Sequence, residues 1–373
     1  MSRTLLTSGY GGKIYTLSFD PSSSSLRTTS TIECGKAPTW LTLSGQHPIV
    51  YTGDEFSQPD GVLHALRYDA SGSLDSLSTT KVAEGPVHFC LSSDGKRLFT
   101  ANYASGTLSV VGIKEDGTFD EEGKVETRAF KGTGPKKDRQ EAPHVHGVYL
   151  DPTNRYLFAA DLGADVLRIF DVSSSEKLEQ LPAISMPPGN GPRHLVFTTP
   201  GENSTRTLLY LIEEIRSTIA VFEIDYSSEK SSDLSLKALQ KEVSILPPDY
   251  MDHQGDWTGA ELAISPNGRY LYASNRCPVD NPAPYDTLAI FERTAAGTLS
   301  VSPVQFNLGG RGPRHFALSS KKHGEREGKY VAVALERTSE VVVYEVDEQR
   351  QDQLTEIARL KDIDQPTCIQ WLP

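Results

Sequence analysis

Short runs in which apolar and polar residues alternate recur along the whole chain, and most are bounded by glycine, proline, asparagine or aspartate. A period of two puts successive side chains on opposite faces of an extended strand, so the pattern predicts β-strands from one end to the other. The runs are also copies of one another. A strand-opening segment reads APTWLTL at 37–43, GPVHFCL at 85–91, APHVHGVYL at 142–150, GPRHLVF at 191–197, TGAELAI at 258–264, GPRHFAL at 312–318 and QPTCIQW at 365–371. A second run follows as KRLFTAN at 96–102, RYLFAAD at 155–161 and RYLYASN at 269–275, entered through Asp94-Gly95, Thr153-Asn154 and Asn267-Gly268. Asparagine and glycine accept the positive φ that a tight hairpin demands. Third runs read TLSVV at 107–111, VLRIF at 166–170, TIAVF at 218–222, TLAIF at 287–291 and EVVVY at 340–344.

The opening segment returns about every 50 residues with four strands per unit, the spacing of a propeller and not of a solenoid. The last copy stops after one strand. Its missing pieces stand at the other end of the chain, LLTSGY at 5–10 as second strand and KIYTLSF at 13–19 as third. The predicted fold is therefore an all-β, seven-bladed β-propeller with four antiparallel strands per blade, one domain over residues 1–373. A C-terminal strand joins the N-terminal strands and closes the ring, which leaves no open edge. Three stretches exceed the repeat, 119–142, 225–257 and 278–286, and their charge and proline content reads as surface insertion.

Composition changes this picture little. At 373 residues the chain has the length of two or three ordinary domains, and the repeat merges them into one ring. With 37% hydrophobic and 23% charged residues it can bury a core. No apolar run approaches the roughly 20 residues that cross a bilayer, and the first residues show no leader-like stretch, so the expected location is cytoplasmic. A net charge of −12 speaks against nucleic acid and against an anionic membrane as partners, but not against a small anion held by local arginines. The four cysteines lack metal or redox spacing and are expected reduced and buried. His144 and His146 have no further ligands at metal spacing and no oxygen-rich loop is present, so neither metal nor cofactor is expected. Neither a Gly-x-Ser-x-Gly elbow nor a phosphate-binding glycine loop occurs.

Equivalent positions of the blades form rings about a propeller's axis, so columns of the repeat carry the information. The residue that opens the inner strand is Thr39, Val87, His146, Arg193, Ala260, Arg314 and Thr367 in turn; the next is Trp40, His88, Gly147, His194, Glu261, His315 and Cys368. A third column, Leu41, Phe89, Val148, Leu195, Leu262, Phe316 and Ile369, is ordinary core. The second strand ends on Tyr10, Glu55, Tyr103, Leu162, Glu214, Arg276 and Glu336. It runs antiparallel to the first, so both polar columns meet at one mouth. Arginines, histidines and carboxylates are not core composition. The set suits an anionic substrate held by arginine, with histidine and glutamate moving protons near neutral pH. The plainer reading makes His88, His194 and His315 packing histidines between blades and Arg314 a partner of Glu336. It also makes Asp94, Asp151 and Asp171 turn formers and the charged clusters at 134–141 and 321–329 solvated loops.

PHVHGVYLDP at 143–152, GPRH at 191–194, YLIEE at 210–214, Trp257, Glu261 and NGRYLYASNR at 267–276 together resemble the seven-bladed lactonase family. That family includes the bacterial propeller-type 6-phosphogluconolactonases and the fungal carboxy-cis,cis-muconate cyclases. The resemblance spans essentially the whole chain. It implies His146, Arg193, Glu214 and Arg276 as catalytic residues, with Trp257 and Arg314 also on the family pattern. The candidate substrate-binding residues are His194, Trp257, Glu261, Arg314, His315, His144 and Tyr103. For a lactonase, Arg193 and Arg276 bind the anionic group and stabilise the oxyanion, His146 activates water, and Glu214 orients or protonates. For a cyclase, the same residues hold carboxylates and deliver a proton to carbon. Similarity leans to the phosphogluconolactonase branch, with a small anionic sugar-acid lactone or related organic acid as substrate and no metal. A third reading is a non-catalytic binding platform; against it stands the converging His/Arg/Glu set, since protein-binding rims favour exposed aromatics.

Overall fold

The computed structural model describes residues 2–120, 123, 125–174, 178–198, 206–227, 234–253, 255–278, 285–322 and 324–373. They form seven antiparallel sheets. The inner strands are Pro38–Leu43, Pro86–Leu91, Val145–Leu150, Pro192–Phe197, Thr258–Ile264, Pro313–Leu318 and Pro366–Trp371, which open blades one to seven. Each packs beside its neighbours, and the last returns to the first. In blade seven, Pro366–Trp371 pairs antiparallel with Arg3–Gly9, and Lys13–Asp20 and Ser25–Glu33 complete the sheet. The split repeat thus closes the ring as the sequence predicts.

The turns form for the reasons read from the sequence. Gly95, Asn154 and Gly268 all lie at positive φ, between 59° and 69°. Asp94, Asp151 and Asp171 accept hydrogen bonds from main-chain N–H groups in their turns. The core lies between blades. Val87, Phe99 and Ala101 of blade two pack on Val148, Leu157 and Phe170 of blade three, and similar clusters fill the other seams. Each fully buried side chain of this kind stabilises the fold by about 1.5–3 kcal/mol. A recurring tyrosine ties one blade to the next: the hydroxyls of Tyr51, Tyr210 and Tyr272 donate to the carbonyls of Gly117, Gly297 and Gln351.

Two of the three long stretches are less foreign than their charge implied. Glu126–Ala129 is the outer strand of blade two, and Ser235–Ser244 that of blade four. Both present mostly polar or exposed residues, so they lack the apolar alternation that marks inner strands. Residues 121–122, 124, 228–233, 254 and 279–284 of these stretches lie outside the described residues. The 321–329 loop is not simply solvated either, because Glu325 accepts from buried Arg3 at 2.7 Å. Cys34, Cys277 and Cys368 are buried and Cys90 half-buried, all with free thiols. Among the described residues no helix is long and apolar enough to cross a membrane.

Candidate active site

Every inner strand slips register just after it opens. The ladder skips Val87, His146, Arg193 and Arg314 in blades two, three, four and six. It skips Thr39-Trp40 and Ala260-Glu261 in blades one and five, and Thr367 in blade seven. A residue inserted this way is a β-bulge, which leaves it outside the ladder and re-aims its side chain. Without the bulge, neighbours in sequence would face opposite sides of the sheet. With it, both polar columns turn to the axis: Arg193 reaches Glu214 while His194, the next residue, reaches Glu261.

The upper layer is organised by Glu214, which follows the strand Thr207–Glu213 and whose N–H donates to the Gly191 carbonyl. Its Oε1 accepts from Arg139 Nη2 at 2.6 Å, and its Oε2 lies 2.7 Å from Arg193 Nε and 3.3 Å from Arg276 Nη2. His146 Nε2 stands 3.9 Å from the same oxygen. Burial alone would raise the Glu214 carboxyl, but Arg276, Arg139 and Arg193 outweigh it and hold the group well below the usual carboxylate range. These guanidiniums thus favour the ionised form of Glu214. His146 is pushed the other way, well below an ordinary imidazole, by burial and then by Arg193, with Glu214 restoring only part. Its ring is neutral, and its buried Nδ1 has no hydrogen-bond partner.

The arginines differ in what they have left to offer. Arg193 is held through Nη1, on the Ala260 carbonyl and beside His194 Nδ1, while its Nε forms an ion pair with Glu214 without a hydrogen bond. Arg276 donates through Nη2 to the Gly259 carbonyl, and its buried Nε has no partner. Burial lowers Arg276 to about 10, which leaves it charged. Arg139 is 34% exposed against 2% for Arg193 and 8% for Arg276, so it forms the solvent side of the cluster.

Below this layer the channel is closed by rings. Trp40 of blade one meets His88, His194 and His315 at centroid distances of 4.2, 5.2 and 4.9 Å, so side chains of opposite blades touch across the axis. His88 Nδ1 accepts from Val148 N and His315 Nδ1 from Ile369 N, each in the next blade, as the packing reading predicted. His194 differs. Its Nδ1 faces Arg193 Nη1 at 3.1 Å and Glu261 Oε2 at 3.0 Å. Nδ1 carries either one proton or one lone pair, so it serves one of these two neighbours at a time. Burial raises Glu261 to about 8 against the pull of Arg193. The floor is thus neutral beneath a cationic layer.

Among the predicted residues, His146, Arg193, Glu214 and Arg276 are brought together. Arg314 lies on the same mouth, with Glu336 at 3.8 Å, and His194, Glu261 and His315 form the floor. Tyr103 borders Arg139. His144 stands at the edge: its Nδ1 meets the Tyr103 carbonyl and its Nε2 meets Glu141, so both ring nitrogens are already partnered. Trp257 stands apart from these residues. It is 1% exposed and packs on Leu246, Tyr250 and Cys277, because the chain that precedes its strand folds over the blade and needs its own small core. Arg139 and Trp40 are the residues that sequence reasoning missed. Arg139 sits in a segment that reads as a charged loop; its neighbour Gln140, fully buried, donates to the Leu162 carbonyl and fixes the loop over the mouth. Trp40 stood in the second column, where an aromatic among histidines was the available signal. Among the described residues no cluster of histidine, cysteine and carboxylate groups is arranged to hold a metal ion.

The family model described as "Lactonase, 7-bladed beta-propeller" matches residues 4–371. A "Probable 6-phosphogluconolactonase" of Arthroderma benhamiae is 28% identical over 358 residues, which cover 96% of this chain and 86% of the relative. The 6-phosphogluconolactonase of Bacillus subtilis is 26% identical over 336 residues, covering 90% and 87%. The periplasmic gluconolactonase of Pseudomonas aeruginosa superposes with a TM-score of 0.80 at 26% identity, over 100% of this chain and 99% of that one.

Proposed function

Because the chain belongs to the seven-bladed β-propeller lactonase family, we propose that it hydrolyses a sugar-acid lactone of the 6-phosphogluconolactone type. The observation that carries this is the convergence of His146, Arg193, Arg276 and Arg139 on Glu214 at one mouth. In this reading neutral His146 accepts a proton from water as its oxygen attacks the lactone carbonyl carbon. Arg276, with its unpartnered Nε, stabilises the oxyanion. The ring C–O bond then breaks, its electron pair goes to the leaving oxygen, and the proton on His146 passes to that oxygen, leaving a hydroxy acid. Glu214 positions the guanidiniums and Arg193 braces the floor. Net positive charge among the three arginines and one carboxylate favours an anionic substrate.

The test is hydrolysis of 6-phosphogluconolactone and of glucono-δ-lactone by wild type and His146→Ala, with and without EDTA. The reading expects turnover that His146→Ala removes and EDTA leaves unchanged. Turnover indifferent to His146→Ala ends the assignment of the base, and EDTA-sensitive turnover ends the metal-free scheme. Cyclisation of carboxymuconate without lactone hydrolysis replaces the reaction itself.

A further inference from the structure

Opposite Glu214, where blades seven and one meet, stands a group that the reaction above does not use. Tyr10 and Phe56 follow the second strands of those blades, and their rings stack at 5.3 Å with 6° between planes. Arg314 Cζ lies 5.2 Å from the Tyr10 ring centroid. Glu336 is 3.8 Å from the same guanidinium, and Glu55 Oε2 is buried without a hydrogen-bond partner. Arg314 is mostly buried, yet among the described residues its guanidinium makes no hydrogen bond. A buried carboxyl oxygen without a hydrogen-bond partner is costly unless a ligand completes it. Phe56 is 51% exposed, so the free face of its ring is open to a ligand at the mouth.

The two sides of the mouth have opposite character. On the Glu214 side, Arg139, Arg193 and Arg276 surround one carboxylate; on this side Arg314 stands with two, Glu55 and Glu336. An anion is drawn to the first and not to the second. Carboxylate oxygens accept from hydroxyl groups, the guanidinium donates to them, and a flat exposed ring covers the C–H face of a saturated ring. We propose that Tyr10, Phe56, Glu55, Arg314 and Glu336 form a polyol subsite that binds the uncharged, hydroxylated carbons of the substrate. This rests on the lactone-hydrolase reading and adds to it which end of the molecule lies where: the anionic substituent toward Arg139, the hydroxyls toward Glu55.

The experiment compares glucono-δ-lactone with δ-valerolactone, the same ring without hydroxyls, for wild type, Phe56→Ala and Glu55→Gln. The expected result is that each variant lowers the ratio of kcat/KM for the hydroxylated over the bare lactone about tenfold, chiefly through KM. An unchanged ratio overturns the subsite even where hydrolysis is intact. If wild type hydrolyses neither lactone, calorimetric binding of gluconate and of valerate to the same proteins separates the two ideas. Gluconate binding that the variants weaken selectively upholds the subsite and removes the hydrolase reading. Absent gluconate binding, or equal loss for both acids, overturns the subsite.

Discussion

Arg139 donates to Glu214 across 2.6 Å although 75 residues separate them in the chain. The contact joins a loop of blade three's approach to the end of a strand in blade four, and it places a half-exposed guanidinium over the carboxylate that also holds Arg193 and Arg276. Arg139→Gln removes a charge from the solvent side of the site without opening the core. We expect kcat/KM to fall about 10- to 100-fold, with Arg139→Lys recovering part of it, because lysine restores charge without the planar fork. Steady-state kinetics beside thermal melts of both variants check this; equal activity of all three proteins would remove Arg139 from the site.

His146 sets the acid limb of activity. The neutral ring is the form that accepts a proton, and burial beside Arg193 keeps it neutral well below an ordinary imidazole's range. An unshifted histidine would be about three-quarters protonated at pH 6. For this protein kcat/KM should stay level from pH 7.5 to 6 and decline only further down. His146→Ala should cost about 10²–10⁴ in rate. A decline centred near pH 6.5 in the wild-type profile counts against His146 as the base.

Glu261 makes stability depend on pH in the unusual direction for a carboxyl. Its folded value of about 8 stands above the unfolded value of 4.5, so between them the native state holds a proton that the unfolded chain releases. Its contribution is fully present below 4.5 and is lost as pH rises through about 8. The slope approaches about 1.4 kcal/mol per pH unit for one group. Glu261→Gln keeps the shape without the titration. Denaturation midpoints of the two proteins should therefore diverge in favour of the variant between pH 5 and 9. Parallel curves would show that Glu261 titrates normally.

Trp257 distinguishes a core residue from a substrate contact. Trp257→Ala should destabilise by about 3–5 kcal/mol, the usual cost of emptying a large buried aromatic site. Trp257→Phe should melt lower than wild type while leaving KM for the lactone near its original value. A KM raised tenfold at unchanged stability would return Trp257 to the pocket wall.

Blade count, ring closure and the identity of the mouth were all legible, because each is written as a repeat. Pro-x-His or Pro-Arg-His at the start of an inner strand and Glu214, Arg276 or Glu336 at the end of a second strand need only be aligned to be seen as rings. Outer strands such as Glu126–Ala129 were illegible, since an exposed edge has no apolar face to repeat. Arg139 was hidden for a related reason: its partner lies in another blade, and no period links a loop to it. The packing of Trp257 was illegible too, because a resemblance carries a residue's presence but not its direction. The ionisation of Glu214 and Glu261, two carboxyls at one mouth, could not be read at all. One is surrounded by guanidiniums and the other by neutral rings, and only packing decides which.

The bulge at each strand entrance separates two jobs. Val87 packs in the seam with blade three, but its counterparts Thr39, His146, Arg193, Ala260, Arg314 and Thr367 take no part in the sheet ladder and belong to no apolar cluster. Their identities can change with little effect on what holds the blades together. The ring thus behaves as a socket with six exchangeable contacts. Evolution or a designer can re-address it to another small molecule by rewriting those six letters while the core sequence stays as it is.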